Sequence, residues 1–151
     1  MKIIIGSDHA GYELKGKIKK YLTELDFEYE DLGPTSLDTS DDYPDFIISV
    51  AKKVAETPNK NKGIVIGGSG QGEAIAANKV KGIRATVFYG GPLDIIKLSR
   101  THNDANILSL GARFLTEVEA KKAVKLWLET PFSNEERHFR RIKKIEEFES
   151  K

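Results

Sequence analysis

Short apolar runs alternate with amphipathic stretches along the whole chain. Lys2 to Gly6 is β-branched and apolar, the pattern of a buried strand. From Gly11 to Leu25 the apolar positions Leu14, Ile18, Tyr21, Leu22 and Leu25 follow helical spacing. Phe27 to Leu32 reads as a second strand, ended by the breaker Gly33-Pro34. After a polar loop, Thr35 to Asp42, a second helix carries Phe46, Ile47, Val50, Ala51 and Val54 and stops near Pro58. Gly63 to Ile66 is a third strand, followed by a glycine-rich loop and a helix from about Gly72 to Val80. Strand four is predicted over Ile83 to Tyr89, with a helix over Leu93 to Arg100. Strand five is predicted over Asn106 to Leu110, with a helix over Thr116 to Thr130 that contains Trp127.

Strands that alternate with helices pair in parallel, with helices on both faces. Right-handed crossovers then make the sheet doubly wound. The expectation is one α/β domain over residues 1–151, a five-stranded three-layer sandwich of the Rossmann-like or flavodoxin-like kind. The tail from Pro131 to Lys151 reads as a charged helix with Phe139, Ile142, Ile145 and Phe148 on one stripe. Because the β-α units already complete a domain, this stripe is expected to lie across a second subunit. Folding back on its own chain is the alternative.

Composition narrows the chemistry. With 24 basic and 23 acidic residues the net charge is +1, so neither nucleic acid nor a membrane surface is the expected partner. The absence of cysteine removes disulfides, thiolate nucleophiles and cysteine-ligated metals. No apolar run approaches a membrane span, and a soluble, cytoplasmic protein is the expectation. No His/Asp/Glu spacing has the form of a zinc or iron site, so neither metal nor cofactor is expected.

Doubly wound sheets bind ligands beyond the carboxyl ends of their strands. The segments there are Ser7-Asp8-His9, Gly67 to Glu73, Tyr89-Gly90-Gly91 and Gly111-Ala112-Arg113. In the stretch GGSGQGEAIAANK, four glycines fall within Gly67 to Gly72 and Glu73 follows at once. It is neither a Walker A loop nor a dinucleotide fingerprint. Exposed N–H groups of Gly68, Ser69, Gly70, Gln71 and Gly72, with the Ser69 hydroxyl, can hold an oxyanion. Glu73 alone reads as an acidic residue in a first helical turn, worth roughly 0.3–1 kcal/mol there. Beside oxyanion donors it reads as the base of an enolisation site.

His102 reads either as a helix C-cap or as a proton donor, and the residues leave both open. His9 stands with Asp8 at a strand end and is a candidate site residue. His138, among Arg137, Arg140 and Arg141, reads as part of a solvated charge run. Arg137 and Arg141 share a helix face, as a phosphate clamp requires, and Arg113 could complete it. Arg84 reads as structural.

Taken together these residues resemble the ribose-5-phosphate isomerase B family, which includes galactose-6-phosphate and allose-6-phosphate isomerases. The matching pieces are Gly6 to Gly11, Asp42-Tyr43-Pro44, Gly67 to Lys79, Gly82 to Ala85, Ser99 to Asn103, Gly111 to Arg113, and Arg137-His138 with Arg141. The resemblance implies interconversion of ribose 5-phosphate and ribulose 5-phosphate without metal or cofactor. It implies that His102 opens the sugar ring and that a base moves a proton between C2 and C1 through a cis-enediolate. Asp8, His9 and Asn103 would contact the substrate. Arg113 would grip the phosphate with Arg137 and Arg141 of a neighbouring subunit, in a homodimer or a dimer of dimers with shared sites. Many members carry a catalytic cysteine where this chain has Gly67. This chain matches a second type, in which Glu is the base, so that role moves to Glu73. The rival readings are an isomerase of a six-carbon sugar phosphate and a receiver-like or nucleotide-sensing module.

Overall fold

The computed structural model describes residues 1–151. Five strands, β1 (Lys2–Ser7), β2 (Glu28–Asp31), β3 (Asn61–Gly67), β4 (Ala85–Phe88) and β5 (Ile107–Gly111), form one parallel sheet in the order β2-β1-β3-β5-β4. The helices are α1 (Tyr12–Glu24), α2 (Tyr43–Glu56), α3 (Gln71–Ala77), α4 (Asp94–Thr101), α5 (Glu117–Glu129) and α6 (Glu136–Glu149). Each predicted element is present, with ends shifted by a few residues. The predicted helix over Gly72 to Val80 ends early, at Ala77.

The strand order places the helices. The chain steps from β1 to β2 in one direction and from β2 over β1 to β3 in the other. A right-handed crossover puts α1 on one face and α2 on the opposite one. The step from β3 to β4 adds α3 to the α2 face, and the return step to β5 puts α4 beside α1. Two cores result. Ile3, Ile5, Ile64, Ile66, Leu108 and Leu110 pack under α1, α4 and α5 around fully buried Trp127. Ile4, Val65 and Ile107 pack under α2 and α3. The sheet is doubly wound, in three layers, as expected.

β5 inserts between β3 and β4 because its five residues are all buried, while β4 is half-exposed and suits an edge. α5 begins at a capping box, with Thr116 Oγ1 accepting from the Glu119 amide and the Glu119 carboxylate accepting from the Thr116 amide. α6 runs along the amino-terminal edge of the strands. There Glu149 accepts from the Gly82 amide and Glu146 lies 3.8 Å from the Arg84 guanidinium. Of the predicted stripe on α6 only Ile142 is buried; Phe139, Ile145 and Phe148 are exposed. No helix is long and apolar enough to cross a membrane.

Candidate active site

The direction of winding reverses between β1 and β3, and their carboxyl ends open a crevice at that switch point. Asp8 and His9 enter it from β1, and Gly67 to Glu73 from β3. Gly70 turns the chain into α3 with φ +77, in the left-handed region that favours glycine. The amides of Gly68, Ser69 and Gly70 donate to no acceptor within the chain, while the Gln71 amide donates to Ser69 Oγ at 3.3 Å. Three free donors at the mouth of the crevice can take an anionic oxygen.

Glu73 folds back from the first turn of α3 and is only 4% exposed. Its carboxyl group lies against the Cα of Gly67, in the space a Cβ at that position would fill. Glycine at 67 is therefore a condition for this placement of Glu73. Burial pushes the carboxyl above the usual glutamate range; its own backbone N–H pulls it down, and the charge of Asp8 pushes it up again. No cation pairs with it. A carboxylate held in this way is a stronger base than one in water. We expect Gly67→Ala to expel the carboxyl from its place and to lower kcat about 100-fold. Gly16→Ala, whose new methyl meets nothing within 4 Å, should leave turnover unchanged. Steady-state rates of the two variants check this.

Asp8 is buried and accepts from the Gly11 amide through Oδ1 at 3.0 Å, which closes the turn into α1. The His9 ring reaches Asp41 Oδ1 through Nδ1 at 2.7 Å, and the His9 amide donates to the same oxygen at 3.2 Å. The Asp41 hydrogen bond raises the His9 pKa, against some loss from burial, and Asp8 adds to the rise. Asp8, His9 and Asp41 offer ligand atoms within 4.8 Å of one another, a cluster that spacing in the sequence did not reveal. The oxygens on Asp8 and Asp41 named above already accept from backbone or ring N–H, so the group reads as a hydrogen-bonded support for His9. Arg113 follows β5 and lies over Gly68, with its amide donating to the Gly68 carbonyl at 3.0 Å.

The other predicted residues lie elsewhere. His102 and Asn103 end α4 just before β5, which puts them at the amino-terminal edge of the sheet. Arg84, at the start of β4, donates to the carbonyls of Asn103 and Asp104 and pairs with the Asp104 carboxylate at 3.1 Å, which bears out its structural reading. Glu73 lies beyond the opposite edge. Five strand residues separate the two edges, roughly 16 Å of sheet at about 3.3 Å per residue. Arg137 and Arg141 stand on α6, whose His138 stacks on His102. One copy of the chain thus gathers Asp8, His9, the glycine loop, Glu73 and Arg113, and sets His102, Asn103, Arg137 and Arg141 apart from them.

His138 corrects the sequence reading. It is not part of a solvated charge run but 3% exposed, with its ring stacked on that of His102, centroids 4.1 Å apart and planes 17° from parallel. Burial lowers its pKa, and His102 and Arg137 lower it further. Its Nε2 makes no hydrogen bond and lies 3.8 Å from Glu135, whose carboxylate accepts from Arg137 Nε at 2.9 Å. The neighbouring arginines hid this position, because α6 turns one narrow face inward. His102 also serves as the C-cap of α4, one of its two expected roles.

Comparison with known proteins adds an independent line. The family model for ribose/galactose isomerase matches residues 3–145. Ribose-5-phosphate isomerase B of Mycobacterium leprae is 42% identical over 149 residues, covering 99% of this chain and 90% of that protein. The structure of ribose-5-phosphate isomerase B from Mycoplasma genitalium with bound ribulose 5-phosphate superposes with a TM-score of 0.95 at 43% identity, over 99% of this chain and 97% of that one. The enzyme of the same name from Clostridium thermocellum gives a TM-score of 0.92 at 45% identity, over 99% and 98% of the two chains.

Proposed function

The chain belongs to the ribose/galactose isomerase family, and we propose that it interconverts ribose 5-phosphate and ribulose 5-phosphate at a site completed by a second copy of itself. Full-length similarity to enzymes named for that substrate supports it over the six-carbon and receiver-like readings. A receiver would also need an aspartate after β3, where this chain has Gly67 to Gly72.

The single observation that carries the mechanism is the Glu73 carboxyl, buried without a cation beside three unpaired amides. Once the sugar ring is open, Glu73 takes the proton from C2. The electron pair moves into the C1–C2 bond, and the carbonyl oxygen at C1 becomes an enediolate oxygen held by the amides of Gly68, Ser69 and Gly70. A proton passes from the C2 hydroxyl to the C1 oxygen, the proton held by Glu73 returns at C1, and the ketose forms. Asp8 and His9 line the crevice on the β1 side and position the sugar. Arg113 binds the phosphate or the hydroxyl nearest to it.

Ring opening needs a proton donor that one copy does not place there. We assign that role to His102 of the second copy, with Asn103 beside it, and the phosphate to Arg137 and Arg141 of the same second copy. Phe139, Ile145 and Phe148, exposed by 59%, 50% and 76%, give the helix that carries these arginines an apolar surface to bury. A homodimer with two shared sites follows. We place the enzyme in the cytoplasm, since a bilayer retains charged sugar phosphates.

An assay of initial rates across pentose and hexose phosphates tests the substrate. Ribose 5-phosphate should be turned over most efficiently; a higher kcat/KM for a hexose phosphate would overturn the reading. Arg137→Ala should raise KM about tenfold or more, since a hydrogen bond to a charged group contributes roughly 1.5–3 kcal/mol. Substrate titration at constant enzyme checks it.

A further inference from the structure

On the α5 side of the sheet, at the amino-terminal edge, lies a cleft of about 260 Å³. None of its lining residues is hydrophobic; Lys62, Arg84, Arg100, Asp104 and Glu146 supply the charge. A space of this size lies below the roughly 300 Å³ at which small-molecule pockets usually start, and admits a small anion with a short tail. Arg100 is held through Nε by the Thr130 carbonyl and through Nη1 by Asp104 and the Ala105 carbonyl, which leaves its Nη2 without a hydrogen bond. Arg84 is engaged by Asp104 and two carbonyls. Lys62 has no polar partner. Its ammonium makes no hydrogen bond and no ion pair, and sits over the ring of buried Trp127 at 5.3 Å, with the Arg100 guanidinium over the same ring at 5.8 Å.

We propose that Lys62 is a site of acylation by small acyl phosphates, whose phosphate group is drawn to the arginine-lined cleft. The neutral amine attacks the carbonyl carbon, a C–N bond forms and the C–O bond to phosphate breaks. Inorganic phosphate leaves with the electron pair of that bond, and the amine proton passes to it. No oxidant or reductant is needed.

Burial and the Arg100 charge favour the neutral amine at Lys62. Burial lowers its pKa to about 8, the Arg100 charge from α4 lowers it too, and Asp104 raises it slightly. The Trp127 face from α5 attracts the ammonium and works the other way, and Arg84 and Glu146 stand further along the cleft with opposite signs. At pH 7.5 about a quarter of such an amine is neutral, against about a thousandth at the ordinary value of 10.5. Acylation removes the charge. It ends the repulsion between Lys62 and Arg100, beneath the turn that carries His102 and Asn103.

The test uses the native protein and one reagent, acetyl phosphate. Mass spectrometry of peptides then gives the initial rate of acetylation at each lysine. At pH 7.5 Lys62 should be acetylated about tenfold faster than exposed Lys97 or Lys81, with a midpoint near pH 8 in its rate. Inorganic phosphate should slow the reaction at Lys62 and leave Lys97 unaffected. A Lys62 rate no higher than that of Lys97 at pH 7.5 would overturn the proposal. Indifference to inorganic phosphate would overturn the docking of the donor in the cleft.

Discussion

Glu73→Gln should lower kcat for ribose 5-phosphate by about 10²–10⁴-fold, the usual contribution of a general base, with little change in KM. The amide keeps the shape and the contact with Gly67 but cannot take a proton. The protein should remain folded and melt at the same temperature or higher. The reason is the raised pKa of Glu73. The folded state holds this proton more tightly than the unfolded chain does, so stability declines as pH rises through the window between the ordinary glutamate value and the raised one. Above that window the wild type retains a buried charge without a cation; the variant does not. The same shift sets the acid limb of kcat/KM in the wild type above the ordinary glutamate value. Asp8→Asn should move that limb down, because the Asp8 charge helps to raise it. Activity of Glu73→Gln within a few-fold of wild type would return Glu73 to a helix-terminal role.

His102→Asn should produce a loss of similar order, but an unequal one. The cyclic aldose must be opened before enolisation, and a positioned acid contributes about 10²–10⁴-fold to such a step. Ribulose 5-phosphate cannot close into a furanose through its phosphorylated C5 oxygen, so that direction begins from an open chain. Proton transfer between C1 and C2, read in the ketose direction with the aldose product trapped as it forms, should fall far less than the aldose reaction. Equal losses in the two directions would place His102 in the enolisation step itself.

Much of the fold was legible in the sequence because parallel strands buried on both faces read as short β-branched runs, and the helices between them as one-sided stripes. The order of β4 and β5 was not. Both are short and apolar, and only their burial in the finished sheet distinguishes the edge from the centre. Glu73 was legible by its place after a strand and among glycines. Its fit against Gly67 was not, since a missing side chain leaves no sign of what fills its space. Asp41 stands in a polar loop with Asp38 and Asp42, and nothing along the chain separates it from them. The placement of His102 had a signal that was available. A helix that leaves the carboxyl end of one parallel strand must return to the amino end of the next, so a residue at its end lies on the far edge. His138 had none, because its burial depends on the angle at which α6 returns.

The opposite placement of Glu73 and His102 is the centre of the account, and subunit exchange tests it directly. Glu73→Gln and His102→Asn proteins, each nearly inactive, are mixed, and mass measurement confirms mixed dimers. In a mixed dimer one pocket carries both lesions and the other carries neither. With random exchange half the dimers are mixed, and the activity should return to about a quarter of wild type. Confirmed exchange with no recovery would contradict a site built from both copies.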